Sequence, residues 1–206
     1  MPFDRCAPMG ASLNASLRVS LSALAMALST LCAGVAHAEP LAVRPPAGVA
    51  VDRALSKAPA GVTDLKFGEM FKSPVGPSGL EASDKLRGLV GQRVRMVGHV
   101  ANASEPTPGL LILTPIPVTL GDEDEKLVDD LPPSAVFVHL SPAHAGKKVP
   151  NLGGLVQLTG TLELGAKEEA DGHVSTTRLV LDDATSRKLA RLADAQPARA
   201  PRRHAH

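Results

Sequence analysis

The side chains of this chain with the clearest capacity for chemistry are histidines and clustered carboxylates. His99, His139 and His144 fall in its middle, and Asp122, Asp124, Asp129 and Asp130 form an acidic stretch between two of them. Imidazoles suit Zn²⁺ or Cu²⁺, but a tight site needs three or four ligands in fixed geometry. No His-x-His, His-x-x-x-His or His-Glu-x-x-His pattern supplies that locally in the folded region. The acidic stretch offers hard oxygen ligands for Ca²⁺, yet its spacing is not that of an EF-hand and no Gly stands at the central turn. A charge run of this kind reads as a solvated loop. His204 and His206 lie at the basic C-terminal end, where they could hold a metal only weakly.

Nucleophilic and cofactor chemistry have little to stand on. Beyond residue 38 there is no Gly-x-Ser-x-Gly elbow, Ser-x-x-Lys pair, Gly-rich phosphate loop or dinucleotide fingerprint. The two cysteines, Cys6 and Cys32, both precede that point. They fall in a segment with Arg5 and Arg18, an Ala/Leu-rich run from Val19 to Val35, and the small-x-small site Ala36-His37-Ala38. This is the grammar of a secretory signal peptide cleaved after Ala38. It predicts residues 1–38 as a leader, a thiol-free mature chain in a bacterial periplasm, and no stable membrane span after cleavage. No catalytic residue and no cofactor is assigned, and the expectation is a protein that is not an enzyme.

The elements that would position the histidines follow from hydrophobic period. Residues 39–61 are rich in Pro and Ala with few large apolar side chains, and read as a flexible linker. A folded domain is expected over 62–184. It opens with Phe67 and Phe71, four apart, as a helical turn or an arm packed on the sheet, and with a short helix over 83–89 that has Ser83 as N-cap. Strands are expected over 93–100, 110–114, 135–140, 155–164 and 176–181, from period-two alternation or continuous apolar runs. Val94, Met96, Gly98 and Val100 share the inward face, whereas Arg95, Val97 and His99 face outward. Leu89–Val100 and Leu155–Leu164 repeat one pattern, each interrupted by a Gly (98 and 160) where the chain bends or another backbone comes close. Asp171-Gly172 marks a hairpin turn, Asp183–Ala195 a helix with Leu189 and Leu192 inward, and the remainder of 185–206 a basic, disordered tail. There is no Trp or Tyr, so the core must be aliphatic.

Five strands in this order, with long bent first and fourth strands and a short helix at one end, resemble an oligonucleotide/oligosaccharide-binding (OB) fold. The pieces Gly88–His99, Asp129-Asp-Leu-Pro132 and Ser175–Asp182 are similar to uncharacterised exported bacterial proteins with an OB-fold-like β-barrel domain. The resemblance spans about Phe67 to Asp183 and implies an all-β chain with minor helices, a five-stranded OB-like barrel flanked by an N-terminal and a C-terminal helix. Two departures stand out: Ser141–Gly154 is too rich in Pro and Gly for the helix such folds often place there, and a cysteine pair that related domains carry near the third strand is missing. No functional residue is transferred.

Nucleic-acid binding, which the fold name invites, needs a basic groove with stacking aromatics. The folded region instead holds more Asp and Glu than Lys and Arg, with Phe137 the only available platform. The expectation is a periplasmic, non-catalytic module that recognises an envelope protein or small ligand on the outer face of its sheet, through Arg95, Val97, His99, an exposed Phe137 and His139. The alternative is a metal-handling protein using His99, His139 and His144.

Overall fold

Alternating apolar residues in the middle of the chain do become strands. A computed structural model describes residues 42–52, 54–77, 79–121 and 131–195, and these are mostly β, with a six-stranded mixed sheet and two short helices. The strands are β1 (Thr63–Asp64), β2 (Arg93–Val100), β3 (Leu110–Thr114), β4 (Val136–His139), β5 (Leu155–Glu168) and β6 (Val174–Leu181). The helices are α1 (Asp84–Gly88) and α2 (Asp183–Ala195). Spatial order is β1-β2-β3-β4-β6-β5, and β2 pairs in addition with β5 at the far end of that order. The pairs β1–β2 and β4–β6 are parallel; the others are antiparallel. The connection from β4 to β5 carries a single 3-10 turn, Pro142–His144, in keeping with its Pro and Gly content.

Val94, Met96, Leu158 and Leu162 lie in one buried cluster with Leu113, Val136, Leu179 and Leu189. Each such aliphatic side chain contributes roughly 1.5–3 kcal/mol through burial, and together they replace the aromatic core this composition lacks. The two strand glycines are sites of close approach. A Cβ on Gly98 would lie 2.6 Å from the Thr114 carbonyl oxygen and 2.8 Å from the Phe67 ring; one on Gly160 would lie 2.4 Å from the Val180 carbonyl oxygen. Phe67 opens a 3-10 turn, Phe67–Glu69, and its ring packs on the sheet where the bare backbone of Gly98 makes room for it.

Both helices start where side-chain acceptors are available for orphan N–H groups. The Leu86 N–H donates to Ser83 Oγ at 3.0 Å, and the Thr185 N–H donates to Asp182 Oδ1 at 2.8 Å. In α2, Leu189 is fully buried and Leu192 packs on the same cluster.

The predicted linker is a correction. Within 39–61, Val43 and Ala50 form bridges to Leu152 and Val156, and Val49 is buried in the main cluster. The Gln157 N–H donates to the Val49 carbonyl at 2.7 Å, and the Val51 N–H to the Leu155 carbonyl at 3.0 Å. Pro- and Ala-rich composition lowers side-chain burial, but backbone pairing along β5 needs only N–H and C=O groups. The leader and its cleavage site, the acidic stretch 122–130 and the basic tail from 196 lie outside the described residues. Among the described residues, no helix is long and apolar enough to cross a membrane.

Candidate functional site

The outward residues of β2 and β4 do not act as one open surface. Arg95 is only 5% exposed, because parallel pairing sets Asp64 of β1 beside it. Its guanidinium donates from Nε to Asp64 Oδ1 at 2.7 Å and from Nη2 to Asp64 Oδ2 at 3.0 Å, with a further bond from Nη2 to the Ser56 carbonyl at 2.8 Å. This two-pronged contact holds the Asp64 carboxyl below its ordinary value of 3.8. Arg95 therefore anchors the segment before β2. Val97 and His99 are half-buried beside it, paired in register with Gln157 and Leu155 of β5.

Phe137 is the second correction: expected to be exposed, it is 5% exposed. It pairs in register with Ile112 and joins Ala101, Leu110, Ile112 and Ala135 in a second, smaller apolar cluster. Val118, Leu120 and Leu131, from the irregular stretch between β3 and β4, cover that cluster. Sequence reasoning treated the stretch as a loop and so left Phe137 without a cover.

The metal alternative fares no better on geometry. His139 Nε2 lies 3.2 Å from Glu169 Oε2, whereas His144 Nε2 lies 3.6 Å from Asp183 Oδ1 at the start of α2. His144 thus belongs to the docking of α2, together with Ser141, whose N–H donates to Ser186 Oγ and whose hydroxyl donates to Asp183 Oδ1. No group of three or more metal-ligating side chains forms among the described residues.

What the fold gathers around Phe137 and His139 comes from the β5–β6 hairpin. Glu169 follows β5, and its side chain is 2% exposed. Its carboxylate accepts from the Ser175 hydroxyl, lies against His139 Nε2, and has Lys167 Nζ 3.8 Å away. Arg178 donates to Ser175 Oγ at 3.1 Å and to Glu163 Oε2 at 3.2 Å. A buried carboxylate is tolerated only when its lone pairs are met in this way. Beyond the turn, the His173 ring lies 6.0 Å from that of Phe137, and its Nδ1 is 3.1 Å from Asp171 Oδ2. Neither Glu169 nor His173 stood out in the sequence. The register shift between Leu164 and Lys167 breaks the alternation by which inward residues are counted, and the Asp-Gly turn was the only local signal.

Two cavities flank this hairpin. The larger, about 530 Å³, is lined mainly by apolar side chains, among them Phe71, Leu80, Leu131, Phe137, Leu164 and Val174, with Thr176, Thr177 and His173 as its polar groups. Leu80 and Val174 line it while remaining 46% and 64% exposed. The smaller, about 250 Å³, is mixed: Ser104, Glu105, Thr107, Lys148 and Asp171 contribute to it beside prolines, alanines and Leu120, and His173 belongs to both.

No family model matches the chain, and no curated protein matches it in sequence. Among solved structures it is similar to a DUF3299 family protein from Pseudomonas aeruginosa PAO1, at 12% identity and a TM-score of 0.39. That comparison covers 58% of this chain and 92% of the other. No family is assigned on that likeness.

Proposed function

We propose that this chain is an exported, periplasmic module built as an OB-fold-like barrel, which binds a small, largely apolar ligand in the cavity beside Phe137 without transforming it. The barrel reading is supported by the pairing of β2 with both β3 and β5, which returns the sheet to its first long strand. The parallel pairing of β4 with β6 fits the strand order of such folds. OB-like barrels use the outer face of their second and third strands, with neighbouring loops, as a binding face; β3 and β4 with Ile112 and Phe137 occupy that place.

The observation that carries the proposal is the cavity itself. Its about 530 Å³ falls in the range of about 300–1,000 Å³ typical of small-molecule sites, which are mostly apolar with a few placed polar groups. The acid and base groups nearby support binding over catalysis, because Ser175 and His139 both face Glu169 and tie the hairpin to β4. Export is supported by the leader pattern at residues 1–38.

The test is calorimetric titration of the exported protein with 1-octanol as an apolar probe. Saturable binding with a negative heat-capacity change is expected. Val174→Asp, which puts a charge at the exposed edge of the cavity, should weaken it by about tenfold or more. Absence of saturable binding, or a Val174→Asp variant that binds equally well, would refute the reading.

A further inference from the structure

Resting on that reading, we infer that the ligand is an amphiphile whose apolar body fills the larger cavity and whose uncharged, hydroxyl-bearing head fills the smaller one. His173 lines both cavities, so the two are neighbours at that side chain, and the inferred ligand would span it. Their linings differ in balance. The larger is mainly aliphatic and aromatic, whereas the smaller adds to its prolines and Leu120 the hydroxyls of Ser104 and Thr107, the ammonium of Lys148 and the carboxylates of Glu105 and Asp171.

The charges of the smaller cavity already answer one another. Lys148 Nζ lies 3.8 Å from Glu105 Oε2, and Asp171 Oδ2 lies 3.1 Å from His173 Nδ1. An anionic head would meet two carboxylates there, and a cationic head would have to compete with Lys148 for Glu105. A head of several hydroxyls suits the same lining, because each hydroxyl both donates and accepts. It can donate to the carboxylates and accept from the ammonium without leaving a charge unmatched. The prolines at 106 and 108 restrict the backbone of the loop carrying Ser104 and Thr107.

The experiment compares four probes with one eight-carbon chain, each below its micelle-forming concentration: 1-octanol, octyl glucoside, octanoate and octylamine. Octyl glucoside should bind about tenfold more tightly than octanol, with octanoate and octylamine no tighter than octanol. The double variant Thr107→Val, Lys148→Ala should bring octyl glucoside down to the level of octanol and leave octanol unchanged; unaltered thermal melting checks that it folds. Octanol binding with no preference for the glucoside, or a preference for either charged probe, overturns the amphiphile while leaving the apolar-ligand reading standing. Failure of octanol itself to bind overturns both.

Discussion

Glu169 shows most plainly how one residue fixes the site. Its carboxylate is withdrawn from water and met by Ser175 and His139, so truncating either side of the arrangement has unequal consequences. Glu169→Ala should cost roughly 3–5 kcal/mol, because it leaves the buried Ser175 hydroxyl, His139 and Lys167 without their shared acceptor. Ser175→Ala should cost roughly 1–3 kcal/mol. Urea unfolding midpoints at constant slope measure both; equal losses would show that the carboxylate is not the centre of the cluster. At Asp64 the prediction concerns pH. The Arg95 contact lowers its folded-state pKa from the ordinary 3.8, so its stabilisation is present above that value and is lost as pH falls through the lower, folded-state value. Asp64→Asn should therefore be less stable than the parent at neutral pH, and the gap should close on acidification. A gap that persists in acid would contradict the ion pair as its source.

At the scale of elements, the two strand glycines let a neighbouring backbone come close. Because a Cβ at Gly160 would meet a backbone carbonyl of β6, nothing flexible can yield, and Gly160→Ala should cost about 1–3 kcal/mol. Gly98→Ala should fall in the same range, since it meets the Thr114 carbonyl as well as the more adaptable Phe67 ring. Thermal unfolding of the two variants checks this, and a neutral Gly160→Ala would mean that β5 and β6 do not approach as described. These elements were legible in the sequence for a physical reason: Val94, Met96, Leu158 and Leu162 alternate at the period of a pleated strand, and the cap Ser83 stands before a short apolar helical stripe. Three features were not legible. Val43–Val51 docks through backbone groups that composition does not report. Phe137 is covered by Val118, Leu120 and Leu131, which carry no periodic signal. Glu169 and Ser175 come together on the turn side of a register shift that defeats counting by twos.

For the whole molecule, the expected outer contact face divides into parts with different work. Arg95 secures the chain ahead of β2, Phe137 lines a cavity that the β5–β6 hairpin completes, and His139 faces Glu169 of that hairpin. In the proposed reading the sheet acts as a frame, and the irregular segments mounted on it would carry recognition. The large exposed apolar residues make this testable, because only some of them line the cavity: Leu80 and Val174 do, whereas Leu55, Ile116 and Leu155 do not. The most direct measurement is a methyl NMR titration of the protein with 1-octanol. Saturable shifts at Leu80, Leu131, Leu164 and Val174, with Leu55, Ile116 and Leu155 unmoved, are the predicted result. Shifts centred on Leu55, Ile116 and Leu155, or shifts that grow without saturating, would contradict a built apolar site beside Phe137.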